Sequence, residues 1–296
     1  MSRYVFVVQD GQDMAVRRFL RLACPTAPDW VLHKAFQARQ VKVNGARITA
    51  DHILKPGDEV IFYTSWSAKD IPIVYEDEHI LICSKPANVN SDRNAQSPFS
   101  LLSWAEERAC GAYIPVLCHR LDNQTSGLLL LAKHPDAADT IDAAMRSGNI
   151  HRVYTAVVVG VPMPPKAIAT AYLLKDAKAA RVTIVPDNHR PGARNICTSY
   201  ETIKTEDNLS QLSITLHTGR THQIRAHMAF LGHPVLGDDA YGSRPDNKAR
   251  RANELCLCAT ALTLGKLSVP LDYLTGAIFQ IEAPFSLGKY TQEERS

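Results

Sequence analysis

Four consecutive leucines, Leu128 to Leu131, follow directly on the segment His119-Arg120-Leu121-Asp122-Asn123-Gln124-Thr125-Ser126-Gly127. An apolar run of that length suits a buried strand and is far too short to span a bilayer. The small residues just before it form a turn. Asp122 is therefore expected at the mouth of the strand, on the rim of a core. A carboxylate there is either paired or at work. The bland alternative is a cap or a buried ion pair with Arg120 or Arg225.

At 296 residues the chain has room for one large domain, or one large and one small. Its apolar and charged fractions, 45% and 21%, are those of a soluble globular protein. No apolar run approaches membrane length, so no membrane partner is expected. The first residues, Met1-Ser2-Arg3-Tyr4-Val5-Phe6, carry no signal-peptide core. Seven irregularly spaced cysteines argue against a disulfide framework and for a reducing, cytoplasmic setting. The net charge of +3 is concentrated at one end. Residues 1–64 hold nine Lys/Arg against six Asp/Glu, whereas 65–296 hold 24 of each. Within 13–47 the ratio is seven to two, which suits either a polyanion-binding surface or a solvated basic face.

Residues 13–64 read as a small module. An amphipathic helix runs through Phe19 and Leu20 to about Pro25, and a second runs from about Pro28 through Phe36. Val41-Lys42-Val43-Asn44-Gly45-Ala46-Arg47-Ile48 alternates around Asn-Gly, a hairpin signal. Leu54-Lys55-Pro56-Gly57-Asp58 turns into a closing strand ending near Tyr63. Beyond a polar connector, Ile73 to Lys85 reads as strand, acidic turn, strand. A helix is expected over 97–109 and another over 135–147, started by Pro135 and Asp136. Val153–Val159 and Leu212–Leu216 read as strands, and a helix from Thr221 ends at Gly232. Without a βαβ rhythm the pattern implies an α+β fold with a mixed, largely antiparallel sheet flanked by helices.

The second informative segment runs from Thr218 to Gly242. Gly219 is expected to allow a tight strand-to-helix turn, with Arg220 and Arg225 beside free backbone N–H groups at the helix start, an anion-binding arrangement. His222, His227 and His233 lie five and six residues apart, which does not put them on one helical face as a zinc site needs; capping or surface roles fit them better. Cys256 and Cys258 read as small core residues rather than ligands. Asp122, Tyr154 and Arg225 then sit on three elements able to converge, which does not by itself name a reaction.

The residues themselves carry a resemblance. His119-Arg120-Leu121-Asp122 with Thr125-Ser126-Gly127, the segment Gly219–Gly242, Tyr75-Glu76-Asp77-Glu78-His79 with Lys85-Pro86, and Tyr154–Gly160 resemble, in order, the motifs of RluA-type pseudouridine synthases over roughly 73–285. The N-terminal module resembles the S-four-type RNA-binding domain. The resemblance implies a pseudouridine synthase fold with domains at 1–66 and 75–296 joined by a linker at 67–74. It implies an isomerase that converts uridine to pseudouridine in structured RNA, with ribosomal large-subunit RNA as substrate and transfer RNA as the alternative, acting as a monomer without cofactor or metal. A non-catalytic RNA-binding or ribosome-assembly protein on the same fold is the rival reading. By resemblance Asp122 is the nucleophile, Arg225 pairs with its carboxylate, and Tyr154 packs on the uracil. Arg120 fills the gap left by the flipped nucleotide. Thr125, Arg220, His222 and Gln223 are expected near the substrate, and Arg17, Arg18, Arg21 and Lys42 on RNA phosphates. After Lys85-Pro86, where many relatives have glycine and histidine, this chain has Ala87-Asn88-Val89-Asn90-Ser91-Asp92; His151 stands where lysine is common.

Overall fold

The computed structural model describes residues 2–24, 27, 29–64, 71–93, 99–176, 181–187 and 189–291. The first part is built from β1 (Ser2–Val7), α1 (Val16–Ala23), α2 (Asp29–Gln37), β2 (Val41–Val43), β3 (Ala46–Arg47) and β4 (Glu59–Thr64). Its strands form an antiparallel sheet in the order β1-β4-β2-β3, with Asn44 and Gly45 at positive φ in the β2–β3 turn. Val16, Phe19, Leu20 and Ala23 put the apolar face of α1 into a core shared with Leu32, Leu54 and Phe62. The helices, hairpin and closing strand lie where the sequence pattern puts them. β1 is an addition: Ser2 to Val7 pairs residue by residue with Thr64 to Glu59.

The larger part contains β5 (Ile73–Glu76), β6 (Ile80–Lys85), α3 (Leu101–Ala109), β7 (Val116–Leu117), β8 (Ser126–Ala132), α4 (Pro135–Arg146), β9 (Ile150–Val159), β10 (Lys166–Asp176), β11 (Arg181–Val185), β12 (Arg194–Glu206), β13 (Leu209–Leu216), α5 (Gln223–Phe230), α6 (Arg244–Arg250), β14 (Leu257–Leu264) and β15 (Ile278–Gln280). Its strands join in one sheet, β11-β10-β12-β13-β9-β14-β8-β6-β5, with β15 beside β14 and β7 beside β8. All neighbours are antiparallel except β8 and β14, which run parallel. The fold is thus α+β with a mixed, largely antiparallel sheet. Packing onto this sheet starts before the expected border at 75. Ile71 is buried in its core and Pro72 O accepts the Ser84 N–H. The rest of the expected linker, 67–70, lies outside the described residues.

Every residue of β8 is buried, as the leucine run requires. Leu129 and Leu131 join one core with Leu81, Tyr154, Ile214 and Ile224, while Leu128 and Leu130 join another with Ile80, Ile82, Ile141 and Leu262. The strand therefore separates two cores. Gly127 is fixed by this position. Its φ is +117° and an added Cβ would lie 2.4 Å from the backbone N and O of Ala259 on β14. The turn itself falls at Asn123 and Gln124 rather than at the small residues expected to form it; Ser126 and Gly127 already belong to β8, paired with Cys258 and Ala259 of β14.

Candidate active site

Three elements surround one cleft of about 880 Å³, open to solvent and lined by Asp122, Tyr154 and Arg225 together with Arg120, Arg152 and His222. Asp122 lies in the turn before β8, where its carbonyl accepts the Thr125 N–H. Its side chain is 23% exposed. The turn is fastened from below by residues of the segment that departs from the family pattern. Ser91 Oγ donates to Leu121 O at 2.7 Å and accepts Leu121 N–H at 3.0 Å, and Asn90 Oδ1 accepts Asn123 Nδ2 at 2.8 Å. Asn88, at φ +66°, donates its N–H to Asn123 O. Lys85, fully buried, donates from one ammonium to Pro86 O, Val89 O and Asn123 O at 2.9, 2.7 and 3.1 Å. Burial drives the pKa of that ammonium down to about 7, and the nearby charge of Asp122 opposes the fall. Lys85-Pro86 thus braces the Asp122 turn from within the core.

Tyr154 stands in the middle of the sheet, opposite Ile214 on β13 and Ala259 on β14. Its phenol pKa is raised, first by burial; Arg152 opposes this and Asp122 adds to it. Two residues earlier on the same strand face, Arg152 reaches under Gly219, where a Cβ would come within 3.0 Å of Arg152 Nη2. This corrects the reading of Gly219. Its φ lies outside the left-handed range, so what it supplies is room for a guanidinium. The left-handed backbone belongs to His222, at φ 52° and ψ 21° immediately before α5.

Arg225 is where the structure departs most from expectation. The helix carries it inward, 4% exposed, but its partner is Asp238. Nε bonds Asp238 Oδ2 at 2.6 Å and Nη2 bonds Oδ1 at 2.7 Å, a bidentate pair. Nη2 also reaches Gln124 Oε1 at 3.1 Å, and Gln124 Nε2 in turn bonds Asp239 Oδ2 at 3.1 Å. Among the described residues Arg225 makes no ion pair with Asp122; the two act on each other through space. The reason lies in Asp238, fully buried and held by the N–H groups of Ala240 and Tyr241, which makes it a fixed two-oxygen receptor facing α5. Burial alone would raise the Asp238 pKa, and Arg225 and those N–H groups bring it below the usual carboxylate value.

The remaining expected residues divide. Arg120 and Arg220 are exposed at the cleft, and Thr125 is buried in its wall with an unpartnered hydroxyl. Gln223 is not available to a ligand. Its Oε1 accepts Thr218 Oγ1 and the Arg220 N–H, and its Nε2 donates to Cys197 O and Thr198 Oγ1. His227 is neither a cap nor a surface group: it is buried with Nδ1 against Thr198 Oγ1, while His233 Nδ1 meets Val159 O. In the N-terminal part Arg17, Arg18 and Arg21 are exposed along α1, Arg17 lies over the Phe36 ring at 5.4 Å, and Lys42 over Tyr63 at 5.9 Å. Asp238, Gln124 and Arg152 were not singled out from the sequence. The first lies inside the long motif Gly219–Gly242 and the second inside His119–Gly127, whereas nothing in the sequence marks Arg152.

Comparison with known proteins identifies the family. The model of the RNA pseudouridylate synthase family matches residues 79–230. A protein of Bacillus subtilis (strain 168) named uncharacterized RNA pseudouridine synthase YhcT is 31% identical over 252 residues, covering 79% of this chain and 80% of that protein. Ribosomal large subunit pseudouridine synthase C of Escherichia coli (strain K12) is 29% identical over 312 residues, covering 97% and 94%. Among solved structures, human RNA pseudouridylate synthase domain containing 4 superposes with a TM-score of 0.59 at 21% identity, covering 72% of this chain and 88% of that one. Human RNA pseudouridylate synthase domain containing 1 gives 0.58 at 23%, covering 80% and 95%, and both share the fold. With the motifs in order, the sheet and the family match, the chain belongs to the RluA-type RNA pseudouridine synthases and is an isomerase.

Proposed function

We propose that the chain isomerises specific uridines in large-subunit ribosomal RNA, with Asp122 as nucleophile. The observation that carries this is the convergence of Asp122, Tyr154 and Arg225 on a single cleft from three elements far apart in sequence. The cleft wall also holds six Lys and Arg side chains against two Asp, which suits a polyanion. The substrate uridine must leave its stack to reach Asp122, at a cost of a few kcal/mol. Tyr154 offers its ring to the extruded base, and Arg120 at the cleft mouth takes the vacated position. In the reaction Asp122 bonds to ribose C1′ as the C1′–N1 bond breaks, or to the uracil ring; the uracil turns, C5 bonds to C1′, and the bond to Asp122 breaks. C5 gives up its proton and N1 gains one, so the sum of atoms is unchanged. Arg225, held by Asp238, stands behind the carboxylate as a fixed positive charge and not as its direct partner.

The choice of ribosomal RNA rests on the relative of E. coli that matches nearly the whole chain, the N-terminal part included. Residues 1–66 serve in this reading as an S-four-type RNA-binding domain, with Arg17, Arg18, Arg21 and Lys42 on phosphates and 75–296 as the catalytic domain. The test maps pseudouridine in total RNA from cells lacking the gene and from the same cells given wild type or Asp122→Ala. A site lost on deletion and regained only with wild type is expected, in ribosomal RNA. Regain with Asp122→Ala would overturn the nucleophile, and a site in transfer RNA would overturn the substrate.

A further inference from the structure

We infer that His222, held in one tautomer by Tyr241, is a positioning residue that presents a ring N–H to the carboxylate of Asp122. The inference rests on Asp122 being the nucleophile. It starts from a backbone outlier: His222 is a non-glycine residue at φ 52°, in a region that L-residues seldom occupy without a local reason. Helix capping does not supply the reason, because the His222 side chain makes no cap bond to α5. The ring instead turns across the cleft. Nδ1 lies 3.0 Å from Tyr241 Oη and Nε2 lies 4.0 Å from Asp122 Oδ1, with the His222 and Tyr241 rings edge to face at 5.7 Å.

The hydrogen bonds fix where the imidazole proton sits. Tyr241 Oη accepts the backbone N–H of Val182 at 2.9 Å, so the phenol's own proton is free to be donated. The acceptor within reach among the described residues is His222 Nδ1. A ring whose Nδ1 accepts must carry its proton on Nε2, the atom that faces Asp122. The charged groups around the ring are Asp122, Arg225, Asp238 and Asp239. Burial lowers the imidazole pKa below its ordinary value, against the pull of Asp122 and with the push of Arg225. At neutral pH the ring is thus uncharged, with a single N–H to offer, on the side that faces Asp122.

Such a donor suits a carboxylate that has to attack. Among the described residues no group donates a hydrogen bond to the Asp122 side chain, and His222 is the basic side chain within 4.0 Å of it. Arg225, the obvious cation, is occupied by Asp238. A neutral N–H steadies Oδ1 without forming an ion pair that would weaken Oδ2 as a nucleophile. A separation of 4.0 Å is longer than a hydrogen bond, as free-enzyme geometry often is before substrate closes the site.

The test uses the full chain and ribosomal RNA from cells lacking the gene. It measures single-turnover pseudouridine formation and RNA affinity for His222→Ala, His222→Gln, Tyr241→Phe, the His222→Ala/Tyr241→Phe pair and Asp122→Asn. His222→Ala is expected to slow the chemical step about 30-fold with RNA Kd within roughly threefold. Gln, which can offer an amide N–H, is expected to recover most of the rate. Tyr241→Phe is expected to slow the step several-fold alone and by nothing further once His222 is Ala. A rate for His222→Ala close to wild type, a loss confined to Kd, or independent effects of the two variants overturns the proposal. If the alanine variant fails to fold, His222→Gln against Tyr241→Phe decides: a Gln variant as slow as Asp122→Asn overturns it. An active Asp122→Asn overturns the nucleophile itself, whereas an inactive one beside a fast His222→Ala overturns only the positioning role.

Discussion

Removing the carboxylate of Asp238 gives the sharpest test of how the site is held. Asp238 and Arg225 are 0% and 4% exposed and joined by bonds of 2.6 and 2.7 Å. Asp238→Ala leaves a buried guanidinium without its counter-charge, a change that costs about 3–5 kcal/mol. The N–H groups of Ala240 and Tyr241 also lose their acceptor. Gln124 and Asp239 still reach Arg225 and offset some of the loss. The net expectation is about 4 kcal/mol, or a fall in Tm of roughly 8–16 °C for a domain of this size. Urea unfolding should show a lower midpoint with an unchanged m-value. Asp238→Asn, which keeps one acceptor oxygen, should lie midway. Replacing both partners, Arg225→Met with Asp238→Leu, should return most of the stability, because two apolar groups cost less than one stranded charge; pseudouridine formation should stay absent. An Asp238→Ala variant within about 1 kcal/mol of wild type, or a double variant no more stable than it, would refute the reasoning.

Other outcomes follow from the same geometry. Lys85 has a folded pKa of about 7 against an unfolded value of about 10.5, so between these limits only the unfolded chain holds the proton. Its burial cost is therefore present in full below about pH 7 and is relieved as pH rises towards about 10.5. The unfolding free energy of wild type minus that of Lys85→Met should climb by about 1 kcal/mol per pH unit from about 7.5 to 9, and a flat difference would contradict the assignment. The lowered pKa of Asp238 has the opposite range: its contribution is complete above about pH 4 and is lost as pH falls through the folded value, so acid unfolding of Asp238→Asn should lack that component. Gly127→Ala must push β8 from Ala259 and should cost at least about 3 kcal/mol, read as insolubility or a lowered Tm. Changing Arg17, Arg18 and Arg21 to Glu should weaken RNA binding and reduce its salt slope by about 0.7–0.9 for each phosphate no longer neutralised; an unchanged slope would remove these arginines from the interface.

Much of the fold is written in local pattern. The leucines of β8 are buried throughout, and α4 begins at Pro135 with Ala137, Ile141 and Ala144 inward, as a 3.6-residue period predicts. The outer strands are a different matter. On β10 the inward residues Ala167, Ala169, Ala171 and Leu173 alternate with Ile168, Thr170, Tyr172 and Leu174, so both faces contain apolar groups and the two-residue period is hidden. Ile168 is 71% exposed, which no pattern rule predicts. β1 is illegible in the sequence for another reason: its partner β4 lies more than fifty residues away, and a short strand is stable only beside a neighbour.

The site shows the same division. Residue type and spacing alone marked Asp122 as a carboxylate at a strand mouth, Tyr154 on a strand and Arg225 on a helix, and the order of the motifs was sufficient to assign the family. Which charge meets which was decided in three dimensions. Arg225 turns to Asp238 because two backbone N–H groups and complete burial make that carboxylate a rigid receptor, and Asp122 is left half-open with a histidine edge beside it. A sequence records the donors and acceptors that are present. It cannot record competition among them, because the strength of each pair depends on distance and on water excluded by elements distant along the chain.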